Sequence, residues 1–317
     1  VFNFLTINKI QTNKKIIELW LLKLSTLNQR STHWAIFILL SLTWGSSFIL
    51  MKLGMEGLTP YQVASLRLFS AGLTLLPFFI KAIRQIPAKK IPVIILSGIL
   101  GNLIPAYLFC IAETHVDSAL AGMLNALVPL MALLAAFFIF KVQIVKNQLL
   151  GICIGLVGVI LLFASQGVST QYWYYGLWIV LATVCYGLNI SLVHNYLKGF
   201  SSVQLSAVAL FFCAMSSLPV LIFSGFFSMF AEPWAVPWPS VAAAATLGIM
   251  GSGVATVLFY VLINKAGAMF ASMVTYALPV VAIGWGLLYG EKITLFQVGC
   301  MVIILVGVYL VNRKKAV

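Results

Sequence analysis

Residues 118–140 read SALAGMLNALVPLMALLAAFFIF and residues 268–289 read AMFASMVTYALPVVAIGWGLLY, and neither stretch carries a charge. A helix needs about 20 apolar residues to cross the hydrocarbon core of a bilayer, so each stretch reads as one membrane span. The two also match each other. Ser118, Gly122, Asn125 and Pro129 stand at i, i+4, i+7 and i+11 on one helix face, and Ala268, Ser272, Thr275 and Pro279 repeat that face 150 residues later. A span written twice points to a duplicated membrane unit.

Working outward, the rest of the chain has the same character. Of 317 residues, 62% are hydrophobic and 8% are charged. Soluble proteins carry about 25% charged residues, so this chain could not cover a water-facing surface, and soluble enzyme folds are excluded. Ten apolar segments follow one another near 34–51, 61–80, 92–112, 118–140, 147–164, 174–193, 203–224, 239–263, 268–289 and 294–311. The breaks between them hold turn and charge signals such as Thr59-Pro60, Lys89-Lys90 and Gly290-Glu291-Lys292. The loops are too short for an extramembrane catalytic domain. Residues 1–33 form a basic tail in which Ile16, Ile17, Trp20, Leu24 and Leu27 keep helical spacing, as in an amphipathic surface helix. Residues 312–317 form a basic C-terminus.

The net charge of +13 would suggest nucleic acid in a soluble protein. Here the placement of the charges decides. With both ends cytoplasmic, sixteen of the nineteen basic residues lie inside and two, Lys52 and Lys292, lie outside, with Arg67 within a span. Five of the six acids (Glu56, Glu113, Asp117, Glu232, Glu291) fall outside. This asymmetry predicts a multi-pass protein of the cytoplasmic membrane with both termini cytoplasmic, and no nucleic-acid partner.

The halves align in order. Trp44-Gly45 matches Tyr186-Gly187, Gln62 matches Gln204 and Pro77 matches Pro219 at an offset of 142. GILG at Gly98–Gly101 matches GIMG at Gly248–Gly251, and Leu108-Phe109 matches Leu258-Phe259, at 150. Gln148 matches Gln297 and Gly158 matches Gly307 at 149. Five spans per half is an odd number, so the copies enter the membrane in opposite directions. The fold class is therefore all-α, ten transmembrane helices as two inverted five-helix repeats, 34–164 and 174–311. Inverted repeats are the architecture of secondary transporters, with a substrate site near the midplane at the repeat interface.

Several motifs then resemble one family. WGSSF at Trp44–Phe48, the pattern of Pro60, Arg67 and Pro77, and GEKIT at Gly290–Thr294 followed by Gln297 and Gly307 are similar to the EamA domain of the drug/metabolite transporter superfamily. The resemblance covers about 34–311. It implies two inverted EamA repeats, cytoplasmic termini, and transport of small organic metabolites, often outward. The halves are unequal: Val142 stands where Glu291 does, and Ala209 where Arg67 does.

Arg67 is the one basic residue well inside a span, about 9 Å deep at 1.5 Å per residue. It reads either as a counter-charge for a substrate carboxylate, as a gate pairing with Glu113 or Asp117, or as an ion pair locking helices. The repeated face of the fourth and ninth spans reads either as close helix packing or as a cavity lining, since prolines leave carbonyls free and such backbone survives in a membrane only beside protein or water. The candidate pathway is Trp44, Arg67, Asn102, Tyr107, Asn125, Tyr260, Ser272, Thr275 and Tyr276, with Pro129 and Pro279 as helix-break or gating positions. Asn189 and Trp285 are further polar or aromatic groups within spans, and Gly151/Gly155 is a packing GxxxG. No catalytic set, metal site or cofactor motif is visible. The five cysteines sit in apolar stretches as small hydrophobes.

The expected function is secondary transport of a small metabolite, an amino acid or similar, by alternating access. The expected partners are that substrate and the lipid bilayer, and a homodimer is left open. With no Asp, Glu or His at mid-span, facilitated exchange or export down a gradient is favoured over proton coupling. A membrane-embedded enzyme, or a receptor or scaffold subunit, is the alternative; the first would need clustered nucleophile, base or metal ligands, and the second would not need an inverted repeat.

Overall fold

The computed structural model describes residues 31–165, 172–266 and 268–312 of the chain. The basic tail and the surface helix its spacing suggests therefore fall outside the described residues, apart from Ser31–His33 at the start of the first span. Among the described residues every regular element is helical. Nine helices are long and apolar enough to cross a membrane, and a tenth crossing is a bent pair. In order, span 1 is Ser31–Met55, span 3 Ala88–Ala112, span 4 Ser118–Phe140 and span 5 Lys146–Ala164. Span 6 is Tyr175–Tyr196, span 7 Ser202–Phe223, span 8 Trp238–Ile263 and span 10 Leu295–Asn312. Span 9 is Ala268–Ser272 continued by Val274–Leu288.

Span 2 is the bent pair, Pro60–Thr74 and Leu76–Gln85, turning by 67° at Leu75. Pro77 stands at the start of the second piece, where a ring without an N–H is tolerated and the preceding turn cannot continue unbroken. Its counterpart Pro219 lies inside the unbroken helix of span 7. The same residue thus bends one copy and not the other.

The aligned glutamines have a local reason. Gln62 and Thr59 exchange side-chain-to-backbone hydrogen bonds at the start of span 2, and Gln204 and Ser201 do the same for span 7. Gln297 caps span 10 with Thr294, and Gln148 accepts from the Val145 N–H at the start of span 5. Such capping boxes satisfy backbone donors that a helix start leaves free.

Spans from the two halves interleave. Span 2 packs on span 7 and span 5 on span 10, while span 3 lies on span 6 as span 8 lies on span 1. The 5–10 contact is backbone to backbone: a Cβ on Gly151 would come 2.6 Å from the Gly307 carbonyl oxygen, and the reverse holds equally. Gly155 meets Leu130. The central core joins Phe48, Leu68, Phe109, Leu124, Leu130 and Leu162. On the outside, large apolar side chains stand free, with Phe138 73%, Phe223 88% and Leu295 90% exposed. A surface so apolar belongs in lipid. Cys110, Cys185, Cys213 and Cys300 are buried, whereas Cys153 is exposed along span 5.

The two ends of the bundle differ. Glu56, Glu113, Asp117, Glu232 and Glu291 mark one end, and Lys89, Lys90, Lys141, Lys146 and Lys198 mark the other. They are called the acidic and basic ends below.

Candidate functional site

Four of the spans are irregular along their length. Spans 3 and 8 each pass through a wider π-helical stretch, Ile99–Leu103 and Leu247–Val254. The first holds all but the opening glycine of GILG and the second the whole of GIMG. Span 4 is interrupted at Ala126–Leu127, after Asn125 and just before Val128-Pro129. Span 9 is interrupted at Met273, and Pro279 is accommodated further along inside Val274–Leu288. The widened turns contribute Gly101, Asn102, Gly251 and Ser252 to the lining of one cavity of about 310 Å³, and Asn125, Val128 and Thr275 near the two breaks line it as well. Widened turns of this kind recur where helices carry function.

The cavity's walls are Trp44, Phe48, Met51 and Phe109 on the apolar side. Its polar groups are Arg67, Asn102, Asn125, Asn189, Tyr186, Ser47, Ser252, Thr256 and Thr275. Many of these are already engaged. Trp44 donates Nε1–H to the Gly251 carbonyl at 2.8 Å, tying span 1 to the widened turn of span 8. Asn189 accepts from Ser97 Oγ at 2.6 Å, and a Cβ on Gly101 would collide with its amide, so this pair joins the halves across spans 3 and 6. Thr275 donates to the Ser272 carbonyl at 2.7 Å. Asn102 and Asn125 have no side-chain hydrogen bond among the described residues.

Arg67 is the one charged residue lining the cavity. Its Nη1 lies 3.8 Å from Met51 Sδ, its Nε is buried without a partner, and Tyr186 faces it. It comes within 4 Å of no carboxylate among the described residues, so the pairing with Glu113 or Asp117 considered from the sequence is not formed. The ion pairs belong to Lys52 instead.

Other sequence candidates lie elsewhere. Tyr107 shares a 2.7 Å hydrogen bond with Ser65 and packs near Tyr61, away from the cavity lining. Tyr276 accepts from Asn312 Nδ2 at 2.7 Å and donates toward the Val308 carbonyl, binding span 9 to span 10. Ser272 is not among the lining residues. Trp285 donates to Ser46 Oγ. The side chain of Tyr260 lies outside the described residues. A polar group within a span does not reveal which face it is on, and these tyrosines point to neighbouring helices.

At the acidic end lies a cluster whose members the sequence shows only as outside charges and, for Glu291, as part of the GEKIT motif. Glu291 is buried, and its Oε1 accepts from Lys52 Nζ at 2.7 Å, Ser118 N–H at 2.9 Å and Ser118 Oγ at 2.8 Å. Oε2 accepts from Ala119 N–H at 3.0 Å, and Asp117 lies 3.5 Å from Lys52. Gly290 at φ 83° turns the chain back so that the Glu291 N–H bonds the Gly286 carbonyl. That left-handed turn is open to glycine at little strain. The carboxylate thus sits on the N-terminal end of span 4, where backbone donors and the helix dipole favour an anion. Burial would raise the Glu291 carboxyl, but the Lys52 ammonium and the Ala119 and Ser118 donors outweigh it and hold it below the usual carboxylate range.

Beneath this cluster the acidic-end halves of spans 4 and 9 pack tightly. Gly122 lies against Ala282, and Gly286 against Ala119. Toward the basic end the two separate, span 4 onto span 6 and span 9 onto span 8. The conformation is closed at the acidic end.

Comparison with known proteins agrees with this arrangement. The EamA-like transporter family profile matches twice, over residues 32–164 and 173–313. An uncharacterized transporter of Archaeoglobus fulgidus is 25% identical over 89% of this chain and 99% of its own length. The uncharacterized inner membrane transporter YedA of Escherichia coli is 26% identical over 87% of this chain and 89% of its own. A protein of Chlamydia trachomatis named as an S-adenosylmethionine/S-adenosylhomocysteine transporter is 26% identical over 85% and 87%. A solved crystal structure shares the fold with a TM-score of 0.58 at 18% identity, over 89% of this chain and 96% of that one. Two tandem matches covering nearly all the spans, on a ten-crossing helical bundle, establish that the chain is a membrane protein of the EamA-like transporter family.

Proposed function

We propose that this chain exports a small metabolite bearing a carboxylate, an amino acid or a similar compound, across the cytoplasmic membrane by alternating access. What carries the reading is Arg67: a guanidinium lining a cavity within the bundle, faced by Tyr186 but with no carboxylate within 4 Å and its Nε unpartnered among the described residues. A basic group at the bilayer centre is unfavourable by about 2.5–3.5 kcal/mol and by less nearer the interface; a substrate carboxylate would offset that cost with bidentate geometry. The free amide groups of Asn102 and Asn125 offer acceptors for a substrate N–H, and Trp44, Phe48 and Phe109 offer apolar walls. The relative from Chlamydia trachomatis is named for two substrates that end in an amino-acid group, which agrees with this chemistry.

In this reading the acidic end faces outward, both termini are cytoplasmic, and the conformation described above opens inward. Loading from the cytoplasm through the gap between spans 4 and 9 would precede parting of the Lys52–Glu291 cluster. Cells overproducing the chain should tolerate toxic carboxylate analogues better than control cells, and Arg67→Ala at equal abundance should abolish the gain. Equal tolerance with and without Arg67 would remove the carboxylate from the proposal.

A further inference from the structure

Glu113, one residue beyond span 3, is not part of the cavity and makes none of the contacts of the Lys52–Glu291 cluster. Its side chain is 5% exposed, and neither carboxyl oxygen has a hydrogen-bond partner. The groups that face it come from every neighbouring element: Glu291 after span 9, Lys52 on span 1, Arg67 on span 2, and Cys110 one turn back on span 3. Both cations are otherwise oriented, Lys52 toward Glu291 and Asp117, Arg67 toward the cavity. Asp117 lies four residues on and His115 two, but His115 stacks on Tyr172 and Tyr175 at the surface. Glu113 is therefore a buried carboxyl within electrostatic reach of the Glu291 cluster, with no hydrogen bond to hold it as an anion.

We propose that Glu113 is a proton-binding site linked to the acidic-end gate: it carries a proton while the Lys52–Glu291 cluster is closed and releases it to water on that side when the cluster parts. The O–H bond of the carboxylic acid breaks on opening, a water or buffer base takes the proton, and the carboxylate left behind gains hydration. A carboxyl removed from water without partners neutralises itself rather than remaining charged. Burial first, and the nearby Glu291 charge second, push Glu113 well above the usual carboxylate range, against the pull of Lys52 and Arg67. The device is one-sided. At the offsets of the repeat, Glu113, Lys52 and Glu291 correspond to Ile263, His194 and Val142, so the basic end has no equivalent. Protons on the acidic side thus favour closure of that side alone.

The test needs neither a substrate nor a known orientation. Exposed Glu56, one turn beyond Lys52, and exposed Lys292, next to Glu291, are replaced by cysteine and spin-labelled on a background lacking exposed Cys153. Distances are then measured by double electron–electron resonance in nanodiscs from pH 5 to 9. One linked proton changes the open-to-closed ratio by at most about tenfold per pH unit. The expected result is a short distance at low pH, a longer population growing as pH rises, and no pH response in Glu113→Gln, which mimics the protonated acid. Glu113→Leu should be equally flat, guarding against a folding defect peculiar to the amide. A wild type with no pH response, or Gln and Leu variants that keep it, overturns the proposal.

Discussion

Replacing Glu291 with Ala removes the group that four donors share. Lys52 Nζ, Ser118 N–H, Ser118 Oγ–H and Ala119 N–H all lose their acceptor, and three of those contacts are at 2.9 Å or less. Truncating one partner of a fully buried ion pair is destabilising by about 3–5 kcal/mol. Here the Lys52 side chain is 27% exposed and keeps Asp117 at 3.5 Å. The surviving partner is therefore only partly stranded, and the expected loss is about 2–3 kcal/mol. At about 2–3 °C per kcal/mol for a chain this long, the melting temperature falls by roughly 4–9 °C. Glu291→Gln keeps the volume and one carbonyl acceptor, so it should fall by about half as much. A double-mutant cycle with Lys52→Met separates the pair from the helix-end contacts, because the N–H donors survive in the lysine variant. Thermal unfolding of the purified proteins in one detergent gives all four values. Unchanged melting in Glu291→Ala, or strictly additive losses in the cycle, would refute the assignment of Glu291 as the anchor of the acidic end.

The remaining predictions use other parts of the structure. Gly187→Ala should cut folded yield, because a Cβ there would come 2.5 Å from the backbone of Met131 and 2.6 Å from that of Ala132, where no side chain can yield; normal yield would show that spans 4 and 6 can separate. Arg67→Lys should keep part of the transport that Arg67→Ala loses if the role is a point charge, and none if it is bidentate; flux at matched abundance decides. Asn125→Ala and Thr275→Ala remove polarity without bulk and should lower substrate affinity with little change in melting, whereas normal affinity and turnover in both would remove spans 4 and 9 from the pathway. For pH, the depressed Glu291 stabilises the fold above the ordinary carboxylate range, a contribution lost as pH falls through its lowered value. The raised Glu113 acts in the opposite sense, its contribution lost as pH rises through its elevated value. Melting of the wild type should therefore peak between these limits, and Glu113→Gln should remove the decline that sets in above the ordinary carboxylate range; a decline that persists would place its origin elsewhere.

Span number, duplication and family were legible in the sequence because each rests on a signal one helix long: an uncharged run, a capping glutamine, a repeated glycine. What escaped it depends on contacts between distant residues. Pro77 and Pro219 are the same residue at matched positions, yet span 2 bends by 67° and span 7 runs unbroken, so the residue alone does not foretell the bend. Lys52 and Glu291 are 239 positions apart, so Lys52 reads as an outside charge and Glu291 as part of a motif, and only the fold pairs them. Arg67 was recognised as unusual by depth alone, but its lack of a carboxylate partner is a fact of three dimensions. Tyr107 and Tyr276 resemble pathway residues in the sequence because polarity within a span marks a constraint without marking a face. The widened turns in spans 3 and 8 had one visible trace, the matching GILG and GIMG, whose spacing reads equally well as ordinary helix packing.

The central claim is that this bundle moves a carboxylate-bearing metabolite past Arg67. Its most direct test is counterflow in proteoliposomes: vesicles with purified protein are loaded with an unlabelled amino or organic acid, and uptake of the same labelled compound is followed across a panel. The account predicts saturable, protein-dependent exchange for at least one carboxylate compound, absent for its amide or ester, and lost in Arg67→Ala protein that melts normally. Exchange of the neutral derivatives equal to that of the acids, or full activity without Arg67, would contradict it.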